Sequence, residues 1–319
     1  MKTITWVLGI LLLAVTMVGG FTVKQGVSAA TLPEGKKAIL VVSFGTTFGE
    51  TRKVTIDAVE DKIRTAFPDY EVRKAFTSRI IIKRLAERDG IQIDTEKQAL
   101  DKLKAEGYTE VIVQPLHMEA GDEYEKVSRV IDGYVQRKAF TKISLSRPLL
   151  YYTGQEGKSD DYTIAIEALK AQLPKLGKHD AVAVMGHGGV NPSNAAYAAL
   201  QLKLQDAGLK NVFVFTVEGY PKVENLIEKL KEQKIKKVTL MPFMMVAGDH
   251  ANNDMAGDDK ESFKSQLLQA GFQVDTYLHG LGENKGIQDI YVQHVKDVIE
   301  GKNDKHERSK GAPAIPVIE

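Results

Sequence analysis

The sequence predicts an α/β protein of two similar halves, each a parallel sheet with helices on both faces. Three observations predict it. Short β-branched runs alternate with amphipathic stretches along the chain, the pattern of strand–helix units. Segments of the first half return in the second, in the same order. Residues 30–319 number 290, enough for two halves of ordinary domain size.

Taken in order, strand-like runs fall at 38–43, 71–76, 110–114, 181–185, 211–217, 237–242 and 273–277. Helical patterns lie between them at 58–67, 80–88, 95–106, 194–206, 223–232 and 261–270, and a last helix carries His294. The stretch 154–161 is polar and glycine-bearing, which marks a loop near the junction of the halves. The expected organisation is therefore a first half over 30–155 and a second over 156–300. Residues 301–319 turn charged and then Pro/Ala-rich, and read as a flexible tail.

The duplication is visible residue by residue. The stretch beginning Ile39-Leu40-Val41-Val42-Ser43-Phe44-Gly45 aligns with Val182-Ala183-Val184-Met185-Gly186-His187-Gly188. Pro115 to Asp122 aligns with Pro242 to Asp249 through a shared Pro-x-x-x-x-Ala-Gly-Asp, and Ala75-Phe76-Thr77 answers Phe215-Thr216-Val217. Two halves facing across a cleft, with strand ends lining it, is the expected consequence.

The first 29 residues read separately, as a secretory signal. Lys2 supplies the positive start, residues 4–20 carry no acid, and Val27-Ser28-Ala29 offers a small-x-small cleavage site. Export to the periplasm or another extracytoplasmic space is the expectation, with no membrane contact beyond that segment. Without Lys2 and Lys24, 41 basic residues face 42 acidic ones, so a nucleic-acid or anionic-surface binder is disfavoured. The chain has no Cys, so disulfides play no part and any metal must be held by His, Glu or Asp. Homo-oligomerisation stays open.

The chemistry-bearing residues sit at predicted strand ends, where open α/β sheets place ligands. His187 lies between glycines after 181–185, so little covers its imidazole. Glu218 follows the next strand and His250 the one after, at spacings of 31 and 32 residues, one strand–helix unit each. Two imidazoles and a carboxylate on one rim suit a divalent ion of borderline softness with open coordination positions. Each residue taken singly also suits a plainer role: a loop cap, a surface turn, a helix cap. Recurrence at equivalent positions favours the site. On the facing wall, Ser43, Gly45 and Thr46 resemble a turn with exposed backbone N–H groups and hydroxyls able to hold an anion. Arg79 and Glu119, also beyond strand ends, are further candidates for holding substrate; His117 corresponds to Met244 and reads equally well as buried. His279 also ends a strand.

These motifs carry a resemblance. Val42-Ser43-Phe44-Gly45-Thr46, Gly186-His187-Gly188, Val217-Glu218-Gly219-Tyr220-Pro221 and the run from Pro242 to Asp254 resemble the anaerobic sirohydrochlorin cobaltochelatases over roughly residues 36–300. The resemblance implies the class II chelatase fold of two flavodoxin-like halves, related to the haem-synthesising ferrochelatases. It implies ATP-independent insertion of Co²⁺, with Fe²⁺ as the alternative ion, into sirohydrochlorin on the way to cobalamin, with no organic cofactor. His187, Glu218 and His250 match the family's metal-binding and catalytic positions. Cobalamin synthesis is cytoplasmic, so the leader departs from the pattern and leaves a second reading, an exported non-catalytic metal- or haem-binding protein for transport or storage.

Overall fold

The computed structural model describes residues 35–302 apart from 156. The leader expected at 1–29 lies outside the described residues, as does the tail from 303 on. Strands β1 (Lys36–Ser43), β2 (Glu71–Phe76), β3 (Tyr108–Pro115) and β4 (Lys142–Leu145) form one sheet in the order β2-β1-β3-β4. Strands β5 (Asp180–Gly186), β6 (Val212–Thr216), β7 (Lys237–Pro242) and β8 (Gln273–Thr276) form a second in the order β6-β5-β7-β8. Every pairing is parallel. The two orders are the same topology written twice, so the duplication extends to the fold. The strand β4 is absent from the sequence expectation.

The helices are α1 (Gly49–Val54), α2 (Ile56–Ala66), α3 (Arg79–Asp89), α4 (Glu96–Ala105), α5 (Asp122–Gln136), α6 (Asp161–Leu169), α7 (Ala195–Asp206), α8 (Val223–Glu232), α9 (Phe263–Gln269) and α10 (Lys285–Ile299). Several begin as their sequences require. Thr95 and Gln98 form a reciprocal capping box on α4. Ser78 caps α3, and Asn284 caps α10. None among the described residues is long and apolar enough to cross a membrane.

The central strands are apolar on both faces because both faces are covered. Leu40 and Val42 point to an outer layer of α4 and α5, with Leu100, Val127 and Ile131. Ala183 and Met185 point to another outer layer, with Leu226 of α8 and Leu267 of α9. The inner faces share one core: Ile39 and Val41 of β1 and Val182 and Val184 of β5 belong to it, with Ile63 of α2, Ile166 of α6, Leu200 of α7 and Tyr291 of α10. The last helix closes this layer by packing on α2 and β3 of the first half as well as on α6. The described residues from Gly35 on form one compact unit.

This topology decides where a site can be. In each sheet the chain winds one way from β1 to β2 and the other way to β3, so a crevice opens between the carboxyl ends of β1 and β3, and likewise of β5 and β7. His187 follows β5, and His250 lies in the loop and turn after β7.

Candidate metal centre

The loop after β5 is shaped by glycines that tolerate no side chain. A Cβ on Gly186 would lie 2.1 Å from Tyr197 Cε1, and Gly188, at φ +73°, would press one to 2.6 Å from Thr216 Cβ. His187 between them is exposed. The next loop is tied to this one. Thr216 donates to the Pro221 carbonyl through both its backbone N–H (2.8 Å) and its hydroxyl (3.0 Å), closing a tight loop over 217–220. The Glu218 N–H donates to the His187 carbonyl at 3.0 Å, and Asn194 braces both loops, accepting from Gly189 N (3.2 Å) and donating to Tyr220 O (2.8 Å).

The chain after β7 enters a single π-helical turn, Ala251–Met255, a rare geometry frequent at functional sites. It presents His250 toward His187: the rings meet edge to face, with centroids 4.9 Å apart and planes at 86°. His250 Nδ1–H donates to Asp254 Oδ2 at 2.6 Å, and His187 Nδ1–H donates to the Gly188 carbonyl at 2.9 Å. With Nδ1 donating, each neutral ring carries its lone pair on Nε2. Two Nε2 lone pairs held this way can ligate a divalent ion, and the carboxylate on His250 is the kind of outer partner metal-bound histidines commonly have.

Glu218 is placed differently from the expectation. Its backbone adjoins His187, but its side chain is exposed, and among the described residues no three His, Asp or Glu side chains converge closely enough to hold an ion. The structure thus brings together an imidazole pair with Glu218 beside it, not a closed three-residue set. The physical reason is the loop: bonds within 216–221 fix its backbone and leave the Glu218 side chain on the solvent side.

The facing wall also corrects an expectation. Ser43 and Thr46 are each 3 % exposed, so this turn does not offer open hydroxyls for an anion. Ser43 Oγ is buried without a partner, and Thr46 Oγ1 accepts from Phe48 N at 3.2 Å. Gly45, at φ +96°, packs against the Phe76 ring, and the exposed group there is Phe44, at 51 %. Arg79 is exposed at the first turn of α3. The Glu119 carboxylate is turned onto the Tyr197 hydroxyl, which donates to Oε2 at 3.0 Å. Burial raises its pKa, while the Tyr197 hydrogen bond and nearby His187 pull it back down. Two further groups emerge from the structure. Glu123, in the first turn of α5, occupies the first-half position equivalent to His250, a match implicit in the Pro-x-x-x-x-Ala-Gly-Asp alignment. His117 is half-buried with both ring nitrogens out of solvent and unpartnered, and their desolvation lowers its pKa to about 4. His279 remains exposed and donates to Glu283 at 2.7 Å.

Two duplicated parallel halves, with an imidazole pair at a strand switch point, place this chain in the chelatase fold class. SirB from Bacillus subtilis with Fe³⁺ superposes with a TM-score of 0.56 at 15 % identity, covering 84 % of this chain and 99 % of that one. DR2241 from Deinococcus radiodurans, described as structurally similar to chelatases with two additional domains, gives 0.52 at 15 % identity, over 82 % of this chain and 55 % of its own. The sequence is more specific. The cobalt chelatase (CbiK) family model matches residues 37–300, and the chain belongs to that family. It is 43 % identical over 264 residues to the sirohydrochlorin cobaltochelatase of Salmonella typhimurium, covering 83 % of this chain and 97 % of that protein. It is 34 % identical over 274 residues to sirohydrochlorin cobaltochelatase CbiKC of Nitratidesulfovibrio vulgaris, over 86 % and 94 %.

Proposed function

We propose that this protein inserts Co²⁺ into sirohydrochlorin without ATP, with Fe²⁺ as a second ion its donors accept. The observation that carries the reading is the imidazole pair of His187 and His250, edge to face with both Nδ1 atoms engaged, in a chain of the cobalt chelatase family.

The residues suit the steps metallation needs. The ion must shed water, two pyrrole protons must leave, and the nitrogens must replace water one at a time. Two Nε2 donors leave most of a divalent ion's coordination sphere open for that exchange. Glu218 on the adjoining loop supplies negative charge beside the imidazoles. Exposed Phe44 supplies an aromatic face for a flat macrocycle, and Arg79 a cation for its carboxylates. The imidazole donors also accept Ni²⁺ and Zn²⁺, so selection among ions rests on supply and on the macrocycle.

The test is a time course of sirohydrochlorin absorption with excess Co²⁺ or Fe²⁺. Many equivalents converted per protein supports the enzyme; conversion that stops at one equivalent supports the alternative of a metal- or haem-binding carrier. Residues 1–29 are proposed to direct export, on the strength of their charged start, apolar run and Val-Ser-Ala site. N-terminal sequencing of protein from native cells checks that, with Ala30 the expected first residue.

A further inference from the structure

Beside the imidazole pair, where the two halves meet, lies a carboxylate that metal binding does not use. Glu119 sits four residues beyond the end of β3, in the stretch that crosses from the first half toward the loop between β5 and α7. That loop carries His187, and the two stretches are clamped together. Tyr197 OH donates to Glu119 Oε2 at 3.0 Å, Asn191 Nδ2 donates to Asp122 Oδ1 at 2.8 Å, and a Cβ on Gly121 would come within 3.0 Å of both Glu119 Oε1 and Ser193 Oγ.

The groups facing Glu119 are unusual for an acid that merely ties two loops together. Tyr197 on α7 bonds it, and the groups that act on it electrostatically are Tyr162 on α6, Tyr291 on α10 and the imidazole of His187; none is a Lys or Arg. Burial pushes all three phenols up, Tyr162 to about 12, so they stay neutral and take no proton from the carboxyl. Burial raises the Glu119 pKa above the ordinary carboxyl value, which makes the carboxylate a better proton acceptor. The mirror position in the second half is Val246, so the acid occurs only on the His187 side.

We propose that Glu119 is the proton-accepting residue of metallation. Its carboxylate takes a pyrrole N–H proton on the His187 side of the cleft; the N–H bond breaks, and its electron pair becomes the nitrogen–cobalt bond. The cobalt stays divalent. Two protons leave for each ion inserted, so the carboxyl discharges to water between transfers. The inference rests on the proposed cobalt insertion.

The experiment compares unaltered protein with Glu119→Gln, Glu119→Asp and Tyr197→Phe, measuring kcat and the KM for Co²⁺ across pH together with thermal midpoints. Gln keeps the shape and an oxygen that accepts from Tyr197, so a purely structural role predicts unchanged kcat. The proton-accepting role predicts a fall in kcat of about 10²–10⁴-fold, an unchanged KM for Co²⁺, and loss of the acid limb of the pH profile. Glu119→Asp should keep that limb. Tyr197→Phe removes a bond that favours the carboxylate, so the limb should move to higher pH. Full kcat in Glu119→Gln overturns the inference, as does a raised KM for Co²⁺ with kcat unchanged, which would make Glu119 an ion ligand. If Glu119→Gln fails to fold, the limb in Glu119→Asp and its displacement in Tyr197→Phe decide. Absence of cobalt insertion by the unaltered protein overturns the proposed function and this inference with it.

Discussion

The rim of the second sheet carries His187, Glu218 and His250; the same three places on the first sheet carry Phe44, Ser78 and Glu123. Strand register establishes the equivalence. Val42 pairs with Pro115 as Met185 pairs with Pro242, and Ser43 pairs with Phe76 as Gly186 pairs with Thr216. Beyond the strands the bonds repeat: Ser78 N donates to Phe44 O, and Glu218 N to His187 O. The backbones match while the side chains diverge. In the first half the imidazole becomes an exposed aromatic ring, the carboxylate becomes the hydroxyl that caps α3, and the second imidazole becomes a first-turn acid of α5. One scaffold therefore makes a rim that carries an imidazole pair and a facing rim that carries an aromatic ring, a hydroxyl and an acid. The difference teaches that a strand end by itself supplies only a position; the residue placed there and the loop that orients it supply the chemistry.

The comparison is broken most directly at the imidazoles. His187→Ala or His250→Ala should reduce cobalt insertion to background with an unchanged thermal midpoint, because each removes one of the two oriented Nε2 donors. Retained activity in both variants would show that the second rim holds no ion.

The first rim is tested through His117, which corresponds to Met244. Its folded pKa, about 4, lies below the ordinary value of 6.5, so below pH 6.5 the unfolded chain binds a proton that the folded one refuses. Stability from this group is thus complete above pH 6.5 and declines as pH falls to about 4, by on the order of 3 kcal/mol. Copying the second half with His117→Met should remove that decline. The acid sensitivity of buried His294, whose pKa burial also lowers, should remain. Urea unfolding at pH 7 and pH 5 measures the difference; an equal decline in both proteins would count against a neutral buried imidazole.

A smaller effect belongs to Asp254. Removing the outer partner of His250 with Asp254→Ala frees the ring to turn and to change tautomer, and should weaken Co²⁺ use by about 10–100-fold. A change confined to the sirohydrochlorin KM would refute that role. Of similar size is Gly186→Ser, which copies Ser43 into the second half and drives a Cβ into the Tyr197 ring. It should cost about 1–3 kcal/mol in urea unfolding; a neutral result would mean that Tyr197 has room to move.

Much of this was legible in the sequence, for local reasons. The strands β1 and β5 are buried on both faces and so appear as apolar runs, and the shared Pro-x-x-x-x-Ala-Gly-Asp marks matching turns after β3 and β7. The glycines around His187 announce an exposed imidazole because close packing with Tyr197 and Thr216 excludes a side chain at Gly186 and Gly188. The inward turn of Ser43 and Thr46 was not legible, since Gly-Thr-Thr is compatible with open and buried hydroxyls alike. Nor was the partnership of Glu119 with Tyr197, which are separated by 78 residues and belong to different halves.

By itself, then, the sequence determined two parallel α/β halves, their duplication, and the histidines that stand at strand ends, because strand burial and glycine turns are properties of a few adjacent residues. Only the tertiary structure decided that the imidazoles meet edge to face with each Nδ1 engaged, that the Glu218 side chain on the adjoining loop is exposed, and that a half-buried acid of the first half, Glu119, is held by Tyr197 of the second. Those depend on how loops from distant segments pack across the crevice, and on the return of α10 that joins the two inner sheet faces into one core.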